Sequence, residues 1–175
     1  MHTLSLKNFH LKIIVLFVSL AFLSGCGFHV KHNDGLVEKF PKIYLQSSDP
    51  NGELARFVKI RLRGAGIELA TLADADTATL KIEAEQRTSR VVSLYVNAQN
   101  AETELGYVVR YSLQSPGYQA QSFRVNLYRD FLDNPSQALA KSREAEQLTT
   151  ELRAVAAEHI LNSMITMEHE VNKTQ

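Results

Sequence analysis

The chain has a single cysteine, no excess of either charge, and no apolar run long enough to cross a bilayer. Each lack excludes something. With only Cys26 there is no intramolecular disulfide, so packing alone must hold the fold. The 19 basic and 19 acidic residues cancel. Because Lys7 and Lys12 precede Cys26 and no acid does, residues 26–175 are slightly acidic. That argues against a nucleic-acid partner, which calls for a marked basic excess. An anionic ligand would have to be met by a local basic patch. The apolar stretch Ile13 to Leu23 falls short of the roughly 20 residues a membrane helix needs. The sequence has no glycine-rich phosphate loop and no nucleophile elbow. His29 and His32 lack further metal ligands, His159 and His169 stand without Cys or Asp in a ligand spacing, and Asp74 with Asp76 reads as a turn. Taken together, these absences point to a protein that is not an enzyme and needs neither metal nor cofactor.

What is present begins with the leader. Lys7 and Lys12, the apolar stretch and then Leu23-Ser24-Gly25 form a secretory signal. Cys26 follows directly, and Leu-Ser-Gly-Cys resembles a bacterial lipobox, in which the thiol is acylated and the cysteine becomes the mature N-terminus. A single acyl chain holds a protein only marginally to a bilayer, and two or more hold it stably. Lipoproteins of this kind usually carry three. Gly27 stands where enteric bacteria place an Asp to keep lipoproteins in the inner membrane, so the resemblance implies the periplasmic face of the outer membrane. The expected organisation is a signal peptide over 1–25, a lipidated N-terminus and tether over 26–40, one α/β domain over 41–168 and a polar tail over 169–175. A mature chain of this size can bury a sufficient core without staples.

Within the domain, Lys42 to Gln46 predicts a short strand. Ser48-Asp49-Pro50-Asn51-Gly52 predicts a helix start, with Asp49 as cap and Pro50 in the first helical position. Leu54, Phe57, Val58 and Leu62 fall on one face of that helix, Arg56, Lys59 and Arg63 on another, and Gly64 with Gly66 should stop it. Such a basic row is most often a solvated face. Thr79 to Arg87 alternates, with Leu80, Ile82 and Ala84 inward and Lys81, Glu83, Glu85 and Arg87 outward. Val92, Leu94 and Val96 continue the pattern, followed by a polar turn from Asn97 to Ala101. Leu105 to Leu113 and Phe123 to Leu127 alternate likewise, joined by the turn Ser115-Pro116-Gly117. Consecutive strands with short turns predict an antiparallel meander. Asp133-Asn134-Pro135 predicts a second helix, continuing to about Met167 on a stripe of Ala145, Leu148, Leu152, Val155 or Ala156, Ile160, Met164 and Met167. A helix of roughly 45–50 Å would overhang strands of ordinary length. The fold class expected is α+β, a two-layer sandwich of two helices on one face of a mainly antiparallel sheet of four to five strands. The outer sheet face, with Lys81, Glu83, Glu85, Arg87, Arg110 and Arg124, is left for solvent or a polar partner.

Three stretches together resemble one family, the LPS-assembly lipoproteins of the LptE type. They are Gly27-Phe28-His29; Asp49-Pro50-Asn51-Gly52 with Leu54 and Arg56; and Arg129 to Pro135 followed by Ala138-Leu139-Ala140-Lys141. The last is the most specific. The resemblance implies a non-enzymatic subunit of the outer-membrane lipopolysaccharide translocon, in 1:1 complex with the β-barrel LptD. There it plugs the barrel, assists its assembly and contacts lipopolysaccharide. It also implies that Asp49–Gly52 and Asp133–Pro135 are signature positions and that Lys141 is a lipopolysaccharide contact. An arginine that the family can place at a hairpin tip is absent here, since Val96 stands there, and Arg90 is the candidate substitute. The alternative is an accessory lipoprotein of another periplasmic lipid-transport system. A lipid-anchored hydrolase ranks below both.

Overall fold

The computed structural model describes residues 34–173, with side chains from Gly35 to Met167. The signal, Cys26, Gly27-Phe28-His29, His32 and most of the expected tether lie outside those residues. Three helices, α1 (Asp34–Lys39), α2 (Glu53–Gly64) and α3 (Ala138–Lys173), accompany a six-stranded sheet. Its strands are β1 (Lys42–Ser47), β2 (Glu68–Ala70), β3 (Ala78–Ile82), β4 (Gln86–Leu94), β5 (Asn100–Gln114) and β6 (Gln121–Leu132).

The sheet is mixed, which corrects the expectation of a mainly antiparallel meander of four or five strands. β1 runs parallel to both β2 and β3. β5 pairs antiparallel with β3, β4 and β6. The physical reason is α2, which carries the chain from the end of β1 back to the start of β2, as a parallel crossover requires. Two short elements explain the rest of the difference. β2 has three residues and too little pattern to be seen. α1 occupies the end of the segment expected to be a tether, and it buries Leu36 and, just beyond it, Phe40 in the core. At the other end, α3 continues to Lys173 through the stretch expected to be a polar tail.

The termination of α2 follows the glycine signal. Gly66 adopts φ +85°, the Gly66 amide donates to the Arg63 carbonyl at 3.0 Å, and the Ile67 amide donates to the Leu62 carbonyl at 3.0 Å. That is a Schellman closure, and both Leu62 and Ile67 are buried beside it. Its beginning is different from the expectation. The cap is Gly52 with no side-chain hydrogen bond, and Asp49 and Pro50 belong to the preceding turn.

Register decides which residues face the helices. On β5, Tyr107, Val109, Tyr111 and Leu113 are buried, and the Tyr111 hydroxyl donates to Ser163 Oγ of α3 at 2.7 Å. β3 keeps that phase, with Leu80 opposite Leu113 and Ile82 opposite Tyr111. Beyond Glu83-Ala84-Glu85 the pairing has slipped by one residue, so Gln86 sits opposite Val108 and Arg87 opposite Tyr107. A slip of one residue exchanges the two faces. Arg87 therefore points toward α3, where it meets Glu146 at 3.8 Å, and not outward with Lys81 as the alternation suggested.

The helix and sheet are also better matched in length than expected. β5 has 15 residues and so spans roughly 50 Å, close to the roughly 54 Å of the 36-residue α3. On α3 the buried residues are Thr149, Leu152, Arg153, Ala156, Ala157, Ile160, Leu161 and Met164. Of the two residues left open for the stripe, Ala156 is in the core and Val155 is exposed.

Tyr107 lies at the centre of this core with no exposed surface, and its hydroxyl, on the side of Glu85, makes no close hydrogen bond among the described residues. Burial, then the negative charge of Glu85, pushes its ionisation well above the ordinary 10.0. The folded state therefore holds this proton more tightly than the unfolded state. Stability from this group is intact below pH 10 and falls as the pH rises above it. Tyr107→Phe is expected to leave stability at pH 7 nearly unchanged and to flatten the alkaline decline. Urea melts at pH 7 and at pH 11 check this, and an unchanged decline would contradict it.

Candidate functional site

The two loops expected to carry the family signature stand at different places in this fold. Asp49–Gly52 follows β1. Ser47 Oγ accepts from the Asp49 amide at 3.2 Å and donates to the Asp49 carbonyl at 3.0 Å. The Gly52 amide donates to that same carbonyl at 3.3 Å. A side chain at Gly52 would meet the exposed Asp49 carboxylate, which would have to turn aside to admit it, and the Gly52 φ of −67° is one any residue adopts. This turn rims a cleft of about 590 Å³ between the start of α2, the β3–β4 connection and α3.

Inside the cleft is the most heavily bonded charge among the described residues. Arg153 of α3, with a side chain only 10% exposed, donates Nε to Glu85 at 2.9 Å and Nη1 to Glu53 at 2.6 Å. Nη1 also lies 3.4 Å from Glu146, and Thr150 Oγ1 donates to Glu53 at 3.0 Å. Burial alone would lower the affinity of this guanidinium for its proton. The hydrogen bond and charge of Glu85, with Glu146 and Glu53, reverse that and raise it. One buried cation thus ties α2, α3 and the β3–β4 connection together. None of Arg153, Glu53 or Glu146 stood out in the sequence. The available signal was an arginine four residues from both Thr149 and Ala157, alongside the apolar stripe. Among the described residues no group of three or more His, Cys, Asp and Glu is placed to hold a metal ion.

The second loop, Asp133–Pro135, connects β6 to α3 at the far end of the sheet. Here the capping expectation fits the geometry. Asn134 Oδ1 accepts from the Ser136 amide at 3.1 Å and from Ser136 Oγ at 2.7 Å, and Pro135 begins a 3-10 turn that leads into α3. The Asp133 amide donates to the Ala101 carbonyl at 3.0 Å, and Asp133 Oδ1 accepts from the Asn134 amide at 2.8 Å. Tyr95, next to Val96 at the β4–β5 tip, donates its hydroxyl to the Asp133 carbonyl at 3.3 Å. The hairpin tip is therefore fastened to the signature loop, a contact of 38 residues in sequence that no local pattern reveals.

Lys141 lies in the first turn of α3, its side chain 20% exposed and its Nζ 2.8 Å from Glu144. Arg90 pairs with Glu104 at 3.0 Å and is mostly exposed. Both are at the same end of the sheet as Val96. They are not on the same face. Arg90, Glu104 and Asp130 share the register row facing away from the helices, whereas Lys141 belongs to the helix layer. Among the large apolar residues exposed at this end are Leu94, Tyr95, Val96, Leu132 and Leu139.

Both loops and the Arg153 network lie inside residues 40–164, which match the family model LptE, described as lipopolysaccharide-assembly. The chain belongs to the LptE family. LPS-assembly lipoprotein LptE of Yersinia pestis (strain Pestoides F) is 35% identical over 94% of this chain and 81% of its own length. The protein of the same description from Yersinia pseudotuberculosis serotype O:1b (strain IP 31758) gives the same figures. Rare lipoprotein B of Shewanella oneidensis, known from a crystal structure, is 39% identical and superposes with a TM-score of 0.70 over 75% of this chain and 98% of that one. Lipoprotein B of Nitrosomonas europaea, solved in solution, has a similar fold, with a TM-score of 0.62 and 21% identity over 82% and 93% of the two chains.

Proposed function

We propose that this chain is a lipoprotein anchored through Cys26 on the periplasmic side of the outer membrane. There it forms a 1:1 complex with the LptD β-barrel, plugs and helps assemble it, and contacts lipopolysaccharide on its way to the cell surface. The observation that carries this reading is the family match, which spans both signature loops and is joined to relatives named for lipopolysaccharide assembly. Lumens of large barrels are polar, so a plug needs a mixed charged face. The outer sheet face offers Lys81, Glu104, Arg110, Arg124 and Asp130 with Ser and Thr between them.

The end of the sheet near Lys141 fits a phosphorylated glycolipid. A cation there can exchange its carboxylate for phosphate through charge-assisted hydrogen bonds, and exposed Leu94, Val96, Leu132 and Leu139 lie at the same end. A clamp formed by Lys141 and Arg90 on one face is not part of the proposal, because the sheet separates them. Lys141→Asp is expected to weaken lipopolysaccharide capture by tenfold or more. Its folding stability should stay within about 1 kcal/mol of wild type, because the lost i,i+3 pair is worth only a few tenths and an acid in a first helical turn is favourable. Capture on immobilised lipopolysaccharide beside a thermal melt tests both halves, and undiminished capture would remove Lys141 from the role.

A further inference from the structure

The exposed side of α2 carries a feature that the barrel reading does not use. Arg56, Lys59 and Arg63 line one shallow groove of about 220 Å³ with Pro50, Asn51 and Ile60, and no carboxylate contributes to its walls. Their i, i+3 and i+7 spacing puts the three cations along one side of the helix. Two are already positioned. Lys59 Nζ donates to the Pro50 carbonyl at 2.8 Å, and the Arg56 guanidinium lies 5.8 Å from the Phe57 ring centre. The nearest competing acid is Glu53, 3.5 Å from Arg56, and its other oxygen is held by Arg153 and Thr150. Lys42, Arg61, Arg129 and Lys141 are each paired with a carboxylate. Lys81, Arg110 and Arg124, unpaired among the described residues, lie on the open outer sheet face and line no groove with the α2 cations. Lys59 and Arg63 have no ion-pair partner among the described residues. In a chain with no overall positive charge, this is unneutralised charge gathered around a concave surface with room for a small anion.

We infer that this groove binds the phosphate of an anionic ligand, either a lipid headgroup or a phosphorylated small molecule or sugar in solution. Arginine forks and a lysine aimed from one helix face supply charge-assisted donors, and Asn51 lies at the same rim. The inference stands independently of the barrel partner.

The test uses the full chain in neutral detergent, followed by backbone amide shifts of residues 56–63. One arm adds inorganic phosphate, and the other dopes the micelles with phosphatidylglycerol. Saturable shifts are expected in at least one arm. A response to phosphatidylglycerol alone identifies a headgroup site, and a response to inorganic phosphate as well identifies recognition of phosphate whatever carries it. Lys59→Gln/Arg63→Gln should weaken the response by roughly 25-fold, about fivefold for each cation removed. Lys42→Gln/Arg61→Gln, which removes the same charge from other exposed positions, should change it by less than about threefold. No saturable shift in either arm, an unaltered response in the groove variant, or an equal loss in the control variant would each overturn the inference.

Discussion

Arg153→Met is expected to destabilise the domain by about 3 kcal/mol, near the lower end of the 3–5 kcal/mol seen when one member of a buried ion pair is removed. The substitution keeps most of the side chain's bulk and deletes its charge together with its hydrogen-bond donors. Glu53 and Glu85 would then face one another without the guanidinium they both accept from. Glu53 is 38% exposed and Glu146 64%, so water relieves part of the penalty, which is why the lower end applies. For a domain of this size the melting temperature should fall by roughly 10 °C. Arg153→Met combined with Glu53→Gln and Glu85→Gln should recover much of the loss, since no uncompensated charge remains. Calorimetry of the single and triple variants measures both effects. A single variant that melts like wild type would show that the network does not hold α2, α3 and the β3–β4 connection together.

The second large effect concerns a segment that reads as linker. Leu36→Ala is expected to cost about 2–4 kcal/mol, because Leu36 is 2% exposed and truncation of a buried leucine leaves a cavity. A flexible tether would tolerate the change with no measurable loss. The comparison of Leu36→Ala with Glu38→Ala, an exposed position on the same helix, isolates burial from helix propensity. Equal small losses at both positions would mean that α1 does not belong to the core.

These two residues show where the sequence was legible and where it was not. Helix α3 and the apolar faces of β3 and β5 were readable because each carries a period that follows from its own geometry. The Gly66 stop and the Asn134 cap were readable because backbone chemistry there demands particular residues. Leu36 and Phe40 were missed because a helix of six residues is too short for its period to emerge from a polar background. The parallel pairing of β1 depends on a crossover, which adjacent-strand reasoning cannot see. Arg87 was assigned to the wrong face because a one-residue slip leaves local alternation intact on either side of it.

The candidate site divides in the same way. The role of Lys141 came from resemblance to a family, whereas Asp133, Asn134 and Pro135 were also legible as a helix start, which Asn134 and Pro135 form. Arg153, Tyr95 and the carboxylates around Arg153 are brought together only by tertiary structure. Arg90 and Lys141 reach the same end of the sheet, yet β-strand parity keeps them on opposite sides of it. Asp49 and Gly52 are close neighbours in their turn, and a side chain at Gly52 would displace the Asp49 carboxylate.

The proposed function requires a stable partnership between this domain and an outer-membrane barrel. Its most direct measurement is affinity purification of the tagged, full-length chain from native outer membranes in mild detergent, with quantification of each recovered protein. The LptD barrel is expected at one copy per copy of this chain. Recovery of the lipidated, folded chain without any barrel, from membranes that contain LptD, would contradict it.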